Sequence, residues 1–397
     1  MTFTVSPEEV GFSSKRLERL SQTMQSHTEE SHCAGMVVLL ARHNRICYFE
    51  SFGVMDIEAG KPMQPNVIFR IYSMSKPITS VAVMKLYEQN CFHLNTPVSE
   101  FIPAFGDLEV VKFVTDSGIE LESLHRQITI HDLLTHTSGL SYGFETDSPV
   151  EDLYRNQLRD KAYYERSLEE MIALLVTFPL VNQPGSAWRY SVATDVLGYL
   201  VEVVSGVPFG DYLQTEIFEP LEMKDTGFYV PEGRLNRLAA NYTPDPNGGL
   251  VLFDAPSGST FARPPRLHSG GGGLVSTTAD YLHFAQMLLN SGEWEGRRIL
   301  GRKTVELMTQ NHLPENMHPF ENPGVGFGLG VRVVESIGRN QILGSKGEYG
   351  WGGAASTNFW VDPQEDLIGI VMPQLMNNEQ YPFGDDLRVL AYQALVG

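Results

Sequence analysis

Strand-like segments stand at both ends of this chain of 397 residues, and helix-like segments fill the middle. Near the N-terminus, apolar runs at 35–41 and 46–52 flank the polar segment Arg42–Arg45, which predicts a β-hairpin. After Gly326 short β-type runs return, at 329–334, 341–343, 355–361 and 367–373. Because strands must pair to be stable, this pattern predicts one sheet built from both chain ends rather than a βαβ repeat.

Helical periodicity marks a segment at 75–90, and further helical segments alternate with long loops from about 95 to 290. These further segments are 130–136, 168–176, 194–204 and 278–289, and a last amphipathic helix is predicted at 386–395. We therefore expect an α+β fold with a central antiparallel sheet and a helical insert. The predicted domains are an α/β subdomain of residues 1–90 and 280–397 and a mainly helical subdomain of residues 91–279, with the active site between them.

The charge balance excludes several classes of partner. The chain has 29 Lys and Arg against 48 Asp and Glu, a net charge of −19, which repels phosphate backbones and anionic lipid. We therefore expect neither a nucleic-acid nor a membrane partner, and the sequence leaves the oligomeric state open. The N-terminus has no basic segment followed by an apolar one, as a signal peptide has, so a cytoplasmic location is expected.

Cysteine and histidine spacing predicts no metal and no cofactor. Cys33, Cys47 and Cys91 show no C-x-x-C spacing, and the eleven histidines show no paired ligand spacing. The glycine run Gly270–Gly273 has no lysine of the phosphate-loop type, so it predicts a flexible loop. Catalysis, if present, is expected to rest on side chains.

The first candidate for catalysis is Ser73-Met-Ser-Lys76, at the start of the predicted helix 75–90. Residues three apart share a helix face, so Ser73 and Lys76 can meet. The helix N-terminus offers unpaired N–H groups that favour an oxyanion. An amine beside a hydroxyl can take its proton, which is the arrangement of an activated serine nucleophile. The alternative is a helix cap with a solvated lysine.

A rival nucleophile is Ser141 in Gly139-Leu-Ser-Tyr-Gly143, a formal G-x-S-x-G. That motif needs a buried strand before it and a helix after it. Here a helix-like segment precedes Ser141 and a loop-like segment follows, so we interpret the match as a coincidence.

Two further segments carry groups that suit a catalytic site. Tyr190 stands just ahead of a predicted helix, where a phenol can shuttle a proton. Gly352 and Gly353, after Trp351, allow a ligand to approach the main chain closely, and Trp351 offers an apolar wall. Read singly, Tyr190 and Trp351 are equally compatible with ordinary packing residues.

Taken together, Ser73-x-x-Lys76, Tyr190-Ser-Val and Trp351-Gly-Gly resemble the three motifs of serine β-lactamase-like proteins, in the form found in family VIII carboxylesterases. Flanking stretches at 69–79, 133–140 and 273–277 also resemble that group. The resemblance implies the fold of class C β-lactamases and D-alanyl-D-alanine peptidases. It covers almost the whole chain.

The resemblance assigns roles to these positions. It implies that Ser73 is the nucleophile, with Lys76 and Tyr190 managing its proton, and which of the two is the base stays open. It also implies an oxyanion hole formed by the main-chain N–H groups of Ser73 and Ala354. Trp351, Gly352, Gly353 and Tyr142 are expected to contact the substrate.

Two departures from the β-lactamase pattern point to the substrate. Trp351 replaces the lysine of a Lys-Thr-Gly motif, and Val192 replaces the asparagine of Tyr-x-Asn. Loss of the cation removes a partner for carboxylates, and loss of the asparagine removes an amide donor near the substrate. Both changes favour neutral, apolar esters over charged β-lactams, and esters of small, mainly short-chain acyl groups are expected as substrates. His268-Ser-Gly270 has the form of a His-x-Gly variant of the third motif, but a helix-like segment follows it and not a late strand, so it is not expected to serve as that motif. The alternatives are a β-lactamase, D-amino-acid amidase or transacylase with the same site, or a non-catalytic ligand-binding scaffold.

Overall fold

The computed structural model describes residues 4–115, 118–145, 148–158 and 164–397 as helices packed on both faces of an antiparallel sheet. In chain order the strands are β1 Gly35–Arg42, β2 Arg45–Asp56, β3 Lys61–Pro62, β4 Phe69–Arg70, β5 Glu109–Thr115, β6 Gly118–Ser123, β7 Asn241–Pro244, β8 Leu250–Asp254, β9 Val275–Ser276, β10 Glu293–Trp294, β11 Arg297–Arg298, β12 Val325–Phe327, β13 Arg332–Val334, β14 Tyr349–Gly352, β15 Asn358–Asp362 and β16 Leu367–Pro373. The helices are α1 Ser14–Glu29, α2 Ser75–Glu88, α3 Ile130–Leu134, α4 Pro149–Leu158, α5 Leu168–Leu175, α6 Ala193–Ser205, α7 Phe209–Leu213, α8 Thr278–Leu289, α9 Arg302–Met308, α10 Ile337–Asn340 and α11 Phe383–Tyr392.

Strands from both chain ends meet in the central sheet, whose order is β12-β13-β14-β15-β16-β1-β2-β3. The junction is the antiparallel pair β1 and β16, in which Val38 faces Val371. The hairpin of β1 and β2 turns at His43 and Asn44, which have φ of 53° and 59° as the twist of a tight hairpin requires. The expected α+β fold, with one antiparallel sheet made by the two ends, is confirmed.

Both faces of the sheet are buried, which explains the continuous apolar run of β1. Val37, Leu39 and Ala41 belong to one core, and Met36, Val38 and Leu40 to the other, since successive strand residues point to opposite faces. Helices α1 and α11 cover the second face, and α8 packs on the first. The sheet is therefore the middle of three layers.

Helix α2 is the centre of the helical half. It is buried on nearly every side, as expected for a helix that is apolar all round. It packs against α6, and Pro77 stands in its first turn, where a missing N–H costs nothing. The packing of α2 against α6 fixes the place of its N-terminus, and with it the place of Ser73.

The structure corrects several local expectations. The expected β-type run at 341–343 is a turn after α10, and Leu343 is exposed, so no buried face supports a strand there. The hairpins of β5 with β6 and of β7 with β8 lie in the region predicted as helices and loops. The apolar segment 68–72 before Ser73 is a strand only at β4, because Tyr72, with φ of 41°, turns the chain into a 3₁₀ helix.

Within the described residues no single helix is long and apolar enough to cross a membrane, and one pair bent by 85°, Ala193–Ser205 with Phe209–Phe218, passes that test by length and composition alone. The division into two subdomains stays a prediction.

Candidate active site

The Ser73 hydroxyl stands at a sharp bend at the entrance to α2. Ser73 is half-buried in the 3₁₀ turn Tyr72–Met74, which runs directly into the helix. The Tyr72 backbone has φ of 41°, a left-handed conformation that is strained for a residue with a side chain, and its carbonyl accepts a hydrogen bond from Ser75 Oγ at 2.6 Å. Such strain is typical of sites where the chain must hold one side chain in a fixed place.

Lys76 is the closest polar partner of that hydroxyl. Its Nζ lies 3.2 Å from Ser73 Oγ and donates a second hydrogen bond to the carbonyl oxygen of Gly271 at 2.6 Å. The side chain is buried, and among the described residues Nζ has no carboxylate partner. The amine therefore forms hydrogen bonds with the serine hydroxyl and with one main-chain carbonyl.

Tyr190 completes the group that the sequence predicts. Its ring centre is 4.6 Å from Lys76 Nζ, and its hydroxyl accepts a hydrogen bond from Trp351 Nε1 at 3.3 Å. The Tyr142 ring centre lies 5.1 Å from the same Nζ and 5.3 Å from the Tyr190 ring. The structure thus brings Ser73, Lys76, Tyr190 and the predicted substrate contacts Trp351 and Tyr142 together.

The glycines after Trp351 let β14 lie close to the nucleophile segment. A Cβ at Gly353 would lie 2.4 Å from the carbonyl oxygen of Ile71, so only glycine fits there. The Gly353 N–H donates to the carbonyl of Thr357 at 2.7 Å. Among the described residues no acceptor takes the next amide, that of Ala354. Ala354 therefore carries an N–H that is not used in holding the fold.

A polar cleft of about 400 Å³ begins at Gly352–Ala354 and ends at Tyr381–Asp385. Asn358 and Thr357 line it, and in the described part of the chain Asn358 Oδ1 and Thr357 Oγ1 have no hydrogen-bond partner. Unpaired buried oxygens of this kind favour a polar occupant. The cleft shares only Gly352–Ala354 with the candidate site, and neither Ser73 nor Lys76 lines it.

Sequence reasoning missed one wall of the site, the loop 269–273. Asp195, in the first turn of α6, accepts hydrogen bonds from Ser269 Oγ and from the Gly271 N–H, the latter at 3.1 Å. These bonds turn the Gly271 carbonyl toward Lys76. A Cβ at Gly271 would lie 2.6 Å from Asp195 Oδ2 and 2.7 Å from Tyr142 OH, so this glycine is needed for close approach and not for flexibility.

No local signal could have selected Asp195, since an aspartate in a first helix turn is a common feature. His268, discounted as part of a third motif, stacks on Phe228 with ring centres 4.5 Å apart.

Ser141, the rival nucleophile, is a buried structural donor. Its Oγ lies 2.8 and 2.7 Å from the two carboxylate oxygens of Glu151, which also pairs with Arg189 Nη1 at 2.8 Å. Helix α3 precedes it and no strand does, in agreement with the sequence interpretation. Its hydroxyl is held by a carboxylate on the side of α4.

His136 lies under the site without contact to solvent. Its Nδ1 is 3.3 Å from Ser191 Oγ, and its ring centre is 4.9 Å from that of Tyr190. Burial lowers the pKa of His136 well below 6.5, and the charge of Lys76 lowers it further. His136 is therefore neutral in the folded protein near neutral pH.

We expect His136 to make the folded state less stable in acid. Below about pH 6.5 His136 binds a proton in the unfolded chain but stays neutral in the folded chain. The free energy of unfolding therefore falls as pH decreases, by up to about 1.4 kcal/mol per pH unit. Urea unfolding at pH 7.0 and 5.5 should show a smaller loss for His136→Asn than for the wild type. The exposed His93→Asn variant serves as the control, and an equal loss in all three proteins would refute this role.

Among the described residues no group of three His, Cys, Asp or Glu is placed to hold a metal ion. The site is made of a hydroxyl, an amine, a phenol and main-chain amides.

Comparison with known proteins finds similarity over nearly the whole chain. A family model described as Beta-lactamase matches residues 20–394. An uncharacterized protein of Mycobacterium tuberculosis is 35% identical over 353 residues, which are 86% of each chain. Esterase EstB of Burkholderia gladioli is 30% identical over 364 residues, 87% of this chain and 86% of that protein.

Among solved structures, EstCE1, described as a hydrolase with promiscuous acyltransferase activity, is similar with a TM-score of 0.79 and 28% identity. The match covers 95% of this chain and 98% of that chain. The similarity therefore includes both the sheet and the helical region around the site.

Proposed function

The chain belongs to the β-lactamase family and is a serine hydrolase of that superfamily, and from this premise we propose that it cleaves carboxylic esters of small acyl groups through an acyl-enzyme on Ser73. The observation that carries the proposal is the 3.2 Å distance from the buried Lys76 Nζ to Ser73 Oγ. An amine at this distance with no carboxylate partner can take the proton of the hydroxyl as it attacks.

The contacts of Lys76 suit the role of proton acceptor. The hydrogen bond from Nζ to the Gly271 carbonyl at 2.6 Å holds the amine beside Ser73 Oγ, so that in its neutral form it can accept the serine proton. Tyr190, with its ring 4.6 Å from Nζ, would relay the proton toward the leaving alcohol. Water then releases the acyl group by the reverse sequence of proton transfers.

The carbonyl oxygen that becomes negative would be held by the amides of Ser73 and Ala354. The Ala354 N–H has no acceptor among the described residues, and the glycines before it allow a substrate to approach the main chain. Preorganised donors of this kind lower a barrier by about 3 kcal/mol each.

The uncharged residue at position 351 favours an ester over a β-lactam as the substrate. Trp351 presents an indole N–H and an apolar face where a cation would recognise a carboxylate. Two similar proteins are named as esterases, Esterase EstB and a lovastatin esterase of Penicillium rubens. Others, from Salmonella, are named putative D-alanyl-D-alanine carboxypeptidases. The uncharged Trp351 supports the ester.

The substrate class is tested by comparing kcat/KM for p-nitrophenyl butyrate and for the cephalosporin nitrocefin. We expect the ester to be preferred by at least about a hundredfold, the loss typical of a substrate whose charged group meets no partner. p-Nitrophenyl laurate, as a long-chain control, should be a poorer substrate than the butyrate. A higher kcat/KM for nitrocefin would replace the ester assignment by a β-lactamase.

A further inference from the structure

Two phenylalanines with exposed rings lie beside Tyr190, the tyrosine proposed to relay the proton. Phe144 is 61% exposed and Phe320 is 64% exposed. Their ring centres lie 6.3 Å and 6.4 Å from the ring centre of Tyr190. Large apolar rings exposed close to a catalytic group are unfavourable in water and typically mark a binding surface.

Phe144 is held in place by stacking on Tyr142. It follows α3 in the chain and stacks on Tyr142, with ring centres 5.2 Å apart and ring planes at 25°. Tyr142 in turn has its hydroxyl 3.5 Å from Asp195 Oδ2, the carboxylate that fixes the Gly271 loop. The direction of the Phe144 ring is thus set by groups of the site itself.

Phe320 precedes β12 in the chain and packs against two tryptophans. Its ring stacks on Trp351 at 6.0 Å and 28°, and meets Trp188 edge-on at 4.8 Å. The backbone φ angles of Phe320 and the next residue, Glu321, are 54° and 56°, so two successive residues with side chains adopt the left-handed conformation. Strain in two neighbouring residues persists only where the surroundings hold it, and here it places an exposed apolar ring beside Trp351 and Tyr190.

Among the described residues Phe144 and Phe320 make no ring contact with each other, although each contacts Tyr190. Both rings therefore lie beside the Tyr190 ring, one held by Tyr142 and the other by the two tryptophans. We call the surface formed by Phe144, Tyr190 and Phe320 the aromatic slot. Glu145, which follows Phe144, pairs with Arg189 at 2.7 Å, and the two phenylalanines of the slot contribute only apolar rings, which suits an uncharged occupant.

We propose that the aromatic slot binds an uncharged planar aromatic group of the ester substrate. This inference rests on the proposed ester hydrolysis and specifies its substrate. A flat ring can stack on Phe144 and meet Phe320 at the same time, and aromatic pairs add binding energy beyond the area that they bury. The aromatic group can belong to the acyl part or to the alcohol part of the ester, and the experiment separates the two.

The test uses two isomeric esters, methyl phenylacetate with the ring on the acyl side and benzyl acetate with the ring on the alcohol side, and the aliphatic ethyl butyrate. Hydrolysis is followed by proton release. We expect the wild type to prefer at least one aromatic isomer over ethyl butyrate. Phe144→Ala and Phe320→Ala should each lower kcat/KM for that isomer about tenfold, mainly through KM, with a much smaller fall for ethyl butyrate.

Phe113→Ala is the matched control, because Phe113 is a 56% exposed phenylalanine on β5, and its replacement should leave all three rates unchanged. The isomer that loses rate in the slot variants identifies the side of the ester that enters the slot. Equal falls for aromatic and aliphatic esters, or no fall for either, would overturn the slot. If the wild type cleaves none of the three esters, the proposed function fails first, which is a distinct result.

Discussion

Replacing Ser73 with alanine is expected to lower kcat/KM for p-nitrophenyl butyrate by at least about a thousandfold, the loss that follows removal of a nucleophile. The change removes one oxygen from a half-buried position whose side chain bonds only to Lys76 among the described residues, so the fold should survive. Circular dichroism and thermal unfolding of the variant establish that survival, and initial rates measure the loss.

Ser141→Ala is the control for that experiment, because Ser141 lies in the other sequence motif typical of hydrolases. Its hydroxyl bonds to Glu151, so the variant leaves a buried carboxylate with one donor fewer and should lose about 1–3 kcal/mol of stability. Activity per folded molecule should stay close to that of the wild type. The assignment is wrong if Ser73→Ala stays active and Ser141→Ala does not.

Lys76→Met is expected to slow acylation by about 10²–10⁴-fold, the usual contribution of a positioned general base. Methionine is similar in length and fits a buried site, but it cannot take the proton of Ser73 or donate to the Gly271 carbonyl. The measurement is the pre-steady-state burst of p-nitrophenol at pH 6 to 9. In the variant the burst should be too slow to separate from turnover at every pH.

Lys85→Met provides a matched control on the same helix. Lys85 pairs with Glu216 at 2.6 Å on the far part of α2, so its loss removes one partly exposed ion pair and should change the burst less than twofold. A normal burst in Lys76→Met would show that another group, of which Tyr190 is the nearest, takes the proton.

The sequence was sufficient for those features that depend on local pattern. The apolar run of β1 and the polar segment after it predict the hairpin of β1 and β2, which turns at His43 and Asn44. Helix α8 was predicted at the bounds that it has, and α11 is displaced by three residues from its predicted bounds. Ser73 and Lys76 share a helix face by spacing alone, so their proximity was also predictable.

Other features depend on contacts between distant segments. The Gly271 carbonyl reaches Lys76 only because Asp195, 76 residues earlier, holds the Gly271 N–H. The left-handed backbone at Phe320 contradicts the ordinary preference of phenylalanine, and only the packing on Trp351 and Trp188 shows why it persists. The hairpin of β5 and β6 exposes apolar residues and has no regular alternation of buried and exposed side chains. Its two strands could therefore not be predicted from hydrophobic periodicity.

The central claim is that Ser73 forms the covalent bond with the substrate, and the most direct measurement is to locate that bond. The wild-type protein is treated with a fluorophosphonate ester, digested, and analysed by mass spectrometry to find the modified peptide. The account predicts one adduct, on Ser73, that is absent from Ser73→Ala and markedly slower to form in Lys76→Met. An adduct on Ser141 or on any other serine, formed at the same rate in Ser73→Ala, would contradict it.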